Sequence, residues 1–335
     1  MTTRFGEIQI SKSQPFSVHP GGFGISPYLQ EKLIFLGQSE VYKQARELAC
    51  SFFGLPNLTS QIYRLTNHYG DAIADDLEQV ADLRSEPEGV SAVVYAQADG
   101  AMLLTDKGYK EVKLGRIFPA TALRESVVDE RGGHIESSLF VGHLGTSADF
   151  STKFETQLEP HKALGEDLVF ISDGSVWLRQ MMENSCPKAT LILDMYHALE
   201  HIGEAGKAAF GTGKAGSTWF KAQRKLLLDS RLDDILGNIL DLKIAASLRG
   251  CVCSYLASNR DRMDYKRYRE RGLLIGSGAI ESGHRTVMQK RLKRSGQRWS
   301  IKGAQQVLNL RVCLMSGRWN LVRQQIEPFN CAMAA

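Results

Sequence analysis

Leu168-Val169-Phe170-Ile171-Ser172-Asp173-Gly174-Ser175-Val176-Trp177 decides how the rest of the chain is read. A short apolar run with β-branched members, closed by Asp-Gly, reads as a buried strand over Leu168–Ser172. Helical spacing then resumes over Val176–Asn184, so Asp173 falls where a strand turns into a helix. Val93-Val94-Tyr95-Ala96-Gln97-Ala98-Asp99 repeats the pattern, an apolar run ending in an acid. A third acid, Glu281, sits in Gly276-Ser277-Gly278-Ala279-Ile280-Glu281-Ser282 at the start of a helix expected over Glu281–Lys293. Hard oxygen ligands of this kind suit Mg²⁺, and paired ions clamp the attacking and leaving oxygens of a phosphoryl displacement. Each acid also has a plainer alternative: Asp99-Gly100 as a hairpin turn, Asp173 as a helix N-cap, Glu281 as a surface carboxylate. Their conjunction favours a site.

Outward from these acids, Val90–Ala98 and Met102–Leu104 read as strands separated by Asp99-Gly100. Lys110–Phe118, Ser138–Leu144 and Ala189–Leu193 are further strands, and Thr146–Glu159 is a helix. A meander followed by strands alternating with helices gives an α+β fold with a mixed sheet covered by helices. Almost everything from Met195 to Arg271 reads helical, which marks 205–270 as an all-α insertion. The core then falls into a first part over 88–204 and a second over 271–320, with a tail at 321–335. Before the core, 1–25 reads as an extended arm. Short helices at Pro27–Leu36, Glu40–Phe53 and Leu58–His68 follow, the last two joined by the turn Gly54-Leu55-Pro56-Asn57. Helix, glycine-containing turn, helix is the outline of a helix-turn-helix module over 26–84, with a linking helix at Asp71–Arg84. Gln61, Arg64, Asn67 and His68 would lie on its outer face toward base edges. A small helical bundle with no DNA role is the alternative.

Apolar content of 43% and charged content of 23% are ordinary for a globular protein. No run approaches the roughly 18 apolar residues that span a bilayer, and the N-terminus lacks a signal-peptide core. A cytoplasmic, nucleoid-associated protein without a membrane partner is expected. Among six cysteines only Cys251-Val252-Cys253 forms a close pair, which is neither a disulfide nor a zinc framework. Net charge is only +4, but Arg260–Arg298 holds twelve Lys/Arg against four acids. That local surplus favours a polyanionic partner.

Two more constellations stand out. In Asp194-Met195-Tyr196-His197-Ala198-Leu199-Glu200-His201, Asp194 ends a strand and the two histidines share a helix face. A third strong zinc ligand is missing, so a polar brace beside the active site is expected, with His197 facing phosphate or a metal-bound water. In Lys290-Arg291-Leu292-Lys293-Arg294-Ser295-Gly296-Gln297-Arg298-Trp299-Ser300, the basic groups can neutralise phosphates and Trp299 can stack on an exposed base. The alternative is a basic helix end with Trp299 in the core.

Taken in order, Ala98-Asp99-Gly100-Ala101-Met102, Ile171-Ser172-Asp173-Gly174-Ser175-Val176-Trp177, Leu193-Asp194-Met195-Tyr196-His197-Ala198, Gly276–Ser282 and Gly296-Gln297-Arg298-Trp299-Ser300 resemble the DDE transposases of bacterial insertion sequences. The resemblance is to the Kra lineage of the Mutator-like superfamily and runs over residues 24–320. It implies an RNase H-like catalytic core with a helical insertion between the second Asp and the Glu. It also implies that Asp99, Asp173 and Glu281 are the catalytic, metal-binding triad for two Mg²⁺ ions, with Mn²⁺ as substitute. Asp194 and His197 match the superfamily's Cys/Asp-x-x-His signature. The implied reaction is strand cleavage and strand transfer at terminal inverted repeats. Its partners are double-stranded DNA (element ends and target) and further copies in a homodimer or higher oligomer. Gln61, Arg64, Asn67, Lys290, Arg291, Lys293, Arg294, Arg298 and Trp299 are the expected DNA contacts. The runner-up is a domesticated or truncated relative that binds DNA without transposing.

Overall fold

Tyr95, Val169 and Ile171 pack into one apolar cluster, while Val94, Ala96 and Phe170 pack into another on the opposite face. That period-two alternation makes a sheet buried on both sides. The computed structural model describes residues 2–3, 6–7, 23, 25–81, 93–125 and 133–326. In chain order the strands are β1 (Thr2–Thr3), β2 (Gly6–Glu7), β3 (Val93–Thr105), β4 (Gly108–Pro119), β5 (Leu123–Glu125), β6 (Gly133–Ile135), β7 (Leu139–Leu144), β8 (Asp167–Ser172) and β9 (Thr190–Leu193). The main sheet has five strands in the order β7-β4-β3-β8-β9. β3, β4 and β7 form an antiparallel meander, and β8 and β9 run parallel to β3. β1 pairs with β2, and β5 with β6, as separate two-stranded ribbons. The fold is mixed α+β. Apart from β1, β2, Phe23 and Ile25, the expected N-terminal arm lies outside the described residues.

The helices are α1 (Pro27–Ser39), α2 (Tyr42–Phe53), α3 (Thr59–Ala72), α4 (Ala74–Glu78), α5 (Ser147–Ala163), α6 (Val176–Ser185), α7 (Met195–Phe210), α8 (Lys214–Leu228), α9 (Leu232–Leu240), α10 (Ala246–Ser258), α11 (Tyr265–Glu270), α12 (Gly278–Gly283), α13 (Ile301–Met315) and α14 (Asn320–Ile326). Helices α5 and α6 cover one face of the sheet through Phe150, Phe154, Leu178 and Met181. Helices α7 to α10 cover the other through Ile202, Leu227, Ile235 and Val252. The stretch from 214 to 270 is helical without a strand, and α7 leads into it unbroken from the end of β9.

Three expectations are corrected. No hairpin forms at Asp99-Gly100, because β3 runs straight through it and pairs with β4 along its whole length. The turn is at Asp106-Lys107 instead, between Thr105 and Gly108. A Cβ at Gly100 would meet only the flexible end of the Glu111 side chain on β4. The helix expected over Glu281–Lys293 is the short α12 followed by a π-helical turn at His284–Gln289. The buried Arg311 of α13 donates to the Thr286 and Val287 carbonyls, and such capture of helix carbonyls accompanies π geometry. Finally, 321–335 is not all tail, since Val322 and Ile326 of α14 are buried.

Helices α1 to α3 share one core with α13 and α14, in which Leu33, Ile62, Leu65 and Tyr69 meet Leu310, Cys313 and Trp319. The α3 and α13 backbones approach so closely that a Cβ at Gly70 would collide with the Gln306 carbonyl. Asn309 on α13 donates to the Gly70 carbonyl at 2.8 Å. This helical segment is therefore seated on the second half of the core.

Candidate active site

The parallel register pairs Gln97 with Ile171 and Ser172 with Leu193. Carried two residues and one residue further, it points Asp99, in the middle of β3, toward Asp173 and Asp173 toward Asp194, the residues that directly follow β8 and β9. Adjacent strands are about 4.8 Å apart, so carboxylates in this row feel one another. Burial raises the Asp99 carboxyl above its ordinary range; nearby His284 and the Gly100 N–H oppose that, and the like charge of Asp173 adds to it.

Each acid of the row is held differently. Asp99 Oδ1 accepts from the Gly100 N–H at 2.7 Å. Asp173 accepts from Ser175 N at 2.9 Å and Ser175 Oγ at 2.8 Å, a turn that ends β8 and starts α6. It therefore does not cap α6, whose N-cap residue is Ser175. Gly174 inside this turn has φ +94°, and a Cβ there would press within 2.9 Å of the Tyr255 hydroxyl. That hydroxyl donates to the Asp173 carbonyl. Asp194 is 0% exposed. It caps α7 through Tyr196 N and accepts from Ser277 N at 3.2 Å and Ser277 Oγ at 2.7 Å. Gln97 holds the same loop, donating to the Gly276 carbonyl and accepting from the Ile280 N–H. The two side chains thus anchor Gly276-Ser277-Gly278, the segment that launches α12 and its exposed Glu281.

Glu281 and Asp99 line one cavity of about 310 Å³ together with His284, Arg285, Gln289 and Lys293. His284 was not expected, although its i+3 relation to Glu281 puts both on one helix face. The residue is 6% exposed, and Nε2 lies 3.3 Å from Asp99 Oδ2. Neither ring nitrogen makes a hydrogen bond of good geometry. Burial depresses its basicity, only partly offset by the Asp99 charge. His197 stands at the rim, 3.7 Å from Asp194 Oδ2 and 3.2 Å from Glu200. His201 turns away to pack on the Tyr255 ring, so the pair builds no zinc site.

Carboxylate oxygens at an edge where like charges face each other are the donor set a hard divalent ion accepts. The cleft is open as it stands: among the described residues no three His, Cys, Asp or Glu side chains are grouped closely enough to hold a metal ion. The Asp173 charge acts on Asp99, and Glu281 lines the same cavity as Asp99.

The expected DNA contacts divide. Lys290, Lys293, Arg294 and Arg298 are exposed, with Arg294 paired to Glu40 at 2.8 Å. Arg298 donates to the Thr105 and Asp106 carbonyls. Arg291 and Trp299 are corrections to a surface reading, being 1% and 8% exposed. The Trp299 indole N–H donates to the Leu292 carbonyl, and the ring belongs to the cluster of Leu103, Leu292 and Ala304. It offers no free face for a base. On α3, Arg64 and His68 are exposed and Gln61 and Asn67 half-buried. Among the described residues no helix is long and apolar enough to cross a membrane.

Fold and site together define an α+β protein with an acid-lined cleft at the carboxyl edge of its parallel strands. The chain is similar to the Streptococcus gallolyticus protein described as "UPF0236 protein in vanSb 3'region", with 26% identity over 321 residues, 91% of this chain and 67% of the relative. No family model matches it.

Proposed function

We propose that the protein is a DDE-type transposase that cleaves DNA at the terminal inverted repeats of an insertion sequence and transfers the freed strand. One observation carries this reading: the like charge of Asp173 acts on Asp99, two residues beyond the last parallel β3–β8 pair, and Glu281 lines the cavity that Asp99 opens into. An antiparallel meander followed by two strands parallel to its first member supports treating the sheet as an RNase H-like core. Helices α8 to α11, between Asp173 and Glu281, fit an insertion in that core. The α2–turn–α3 unit fits a helix-turn-helix.

In this reading Asp99, Asp173 and Glu281 hold two Mg²⁺ ions, with Mn²⁺ accepted by the same oxygen donors. Bound there, such ions would supply Lewis-acid chemistry and charge neutralisation at a phosphodiester. The remaining work belongs to the chain. Asp194 and Gln97 fix the loop that carries Glu281. His284, whose basicity burial lowers, lines the cleft beside Asp99 and Glu281 as a hydrogen-bonding group. Arg285 and Lys293 at the rim attract the phosphodiester, and α3 with the exposed basic residues holds the flanking duplex. Two element ends must be joined to one target, so the working form is a homodimer or larger on DNA.

The open metal set favours one alternative, a DNA-binding relative without transposition. Duplex carrying the inverted repeats that flank the gene separates the two. The transposase nicks an end-labelled duplex at the repeat boundary in Mg²⁺ and leaves it bound but whole in Ca²⁺. Intact duplex in both ions would replace the enzyme by the binder.

A further inference from the structure

A cavity of about 860 Å³ opens between the β5–β6 ribbon, helices α8 and α11, and the loop that carries Glu281. It lies across α12 and the turn after it from the acid cleft: Glu281, His284 and Arg285 line the cleft, Ser282 and Thr286 this cavity, and no residue lines both. Its walls are of two kinds. Leu123, Phe140, Met195 and Ile275 are apolar, while Arg116, Arg224 and Arg269 bring guanidinium groups. The single acid among the lining residues, Glu136, is already paired with Arg124 at 2.8 Å.

Arg116, on β4, is the buried one of the three arginines, at 8% exposed. Nε donates to Ser138 Oγ at 2.9 Å and Nη1 to the Ala279 carbonyl at 2.7 Å. The Phe140 and Phe118 rings flank the guanidinium, with centres 5.0 and 5.6 Å away. Nη2 makes no hydrogen bond among the described residues and, unlike Arg291 Nη2, is not sealed from solvent, so it opens into the cavity. No carboxylate pairs with Arg116 among the described residues, and burial draws its basicity down to about 10. A nearly buried cation without a counter-ion carries a cost that a bound anion would remove. Arg224 and Arg269 are exposed on the rim, and among the described residues neither is in an ion pair. Beside them the Tyr196 ring lies against Gly276, where a Cβ would come within 2.9 Å, and stays 57% exposed.

The two kinds of wall narrow the occupant. An inorganic anion would meet the arginines and leave the apolar wall wet, and an uncharged apolar molecule would leave three cations unmatched. A nucleoside phosphate matches both, since guanidinium groups bind phosphate oxygens in pairs and a base offers a flat face to an aromatic ring. The volume is that of a small-molecule pocket. We infer that this cavity binds a nucleoside phosphate, its phosphate on Arg116 Nη2, Arg224 and Arg269 and its base against the Tyr196 ring and the apolar wall. Two sources share that chemistry, an unpaired nucleotide of bound DNA and a free nucleotide. The DNA source rests on the function proposed above; the pocket does not. Gly276 and Gly278 line the cavity, so its occupant touches the loop that carries Glu281 from the side away from the acid cleft.

Isothermal titration of the intact chain with dAMP, in EDTA so that no metal enters the acid cleft, tests this. A single site per chain is expected, with deoxyadenosine and inorganic phosphate each bound roughly tenfold more weakly or worse. The double variant Arg224→Ala with Arg269→Ala loses only exposed, unpaired side chains. It should melt with the wild type and bind dAMP roughly tenfold more weakly or worse. Arg116→Met should bind as weakly; should it melt early, the double variant alone decides. Labelled duplexes, blunt or with a short single-stranded overhang, assign the source by anisotropy. An overhang held more tightly than the blunt end by the wild type, but not by the double variant, assigns the pocket to an unpaired DNA nucleotide. Heat with dAMP while both duplexes bind alike assigns it to a free nucleotide. Inorganic phosphate bound as tightly as dAMP would reduce the cavity to a plain anion site and overturn the inference. So would a wild type that neither takes up dAMP nor prefers the overhang, or a folded double variant with unchanged affinities. Every arm reads binding without metal, so a failed cleavage assay leaves these outcomes standing.

Discussion

Replacing Asp194 tests how the site is held up. Its buried carboxylate accepts from Tyr196 N, Ser277 N and Ser277 Oγ at 3.1, 3.2 and 2.7 Å. In Asp194→Ala the cap on α7 goes, worth about 1 kcal/mol. Two charge-assisted bonds to Ser277 go as well, at about 1.5–3 kcal/mol each, and their donors are left dry. Because the three bonds share one carboxylate they do not add fully, and a total of about 3–5 kcal/mol is expected. Asp194→Asn keeps a carbonyl oxygen for the two backbone N–H groups and leaves the Ser277 hydroxyl free to accept from the new amide. It should cost about 1–2 kcal/mol. Urea unfolding followed by far-UV circular dichroism measures both. The loosened loop carries Glu281, so cleavage should fall in both variants while duplex binding stays near wild type. An Ala variant within about 1 kcal/mol of wild type would refute the clamp.

Trp299→Ala should destabilise by about 3–5 kcal/mol and weaken binding to paired and unpaired ends alike, and a stable variant defective only on unpaired ends would restore the stacking role. Gly174→Ala forces an L side chain into φ +94° against the Tyr255 hydroxyl, so a loss of about 1–3 kcal/mol is expected in the same unfolding assay. Thiol mapping by mass spectrometry should find Cys50 and Cys251, which are exposed, alkylated at pH 8 in the native protein. Cys313 and Cys186 should stay unmodified until unfolding: burial pushes the Cys313 thiol up to about 12 and raises Cys186 as well, so little reactive thiolate is present at that pH.

Much of the sheet was legible because its strands carry their own signal. Leu168–Ser172 and the apolar run before Asp194 are short, β-branched and closed by acids, and both are strands at those places. Asp173 and Asp194 directly follow strands as the acid-closed runs suggest, but Asp99 does not end its strand, because the local pattern misread Asp99-Gly100. A dipeptide that favours turns is overridden when twelve neighbouring residues pair in register with a partner strand. The π-helical turn after α12 could not be read locally, because Arg311, which takes its carbonyls, lies on another helix. Arg291 and Trp299 misled for a related reason. A basic run looks solvated from composition alone, whereas here the indole bonds to Leu292 and its backbone pairs with β3 at Thr105. His284 had a usable signal, its spacing from Glu281, but nothing in the sequence says that it is buried.

The account turns on the three carboxylates acting as one metal site, and Mn²⁺ binding followed by electron paramagnetic resonance on the DNA-bound protein measures that directly. Two Mn²⁺ ions per wild-type chain are expected, displaced by Mg²⁺, with binding lost or reduced to one weak ion in Asp99→Asn, Asp173→Asn and Glu281→Gln. Each substitution removes a charged ligand at nearly constant volume, so DNA affinity should survive. Wild-type protein that binds no Mn²⁺ on DNA, or an Asp99→Asn chain that still binds two ions, would contradict the triad.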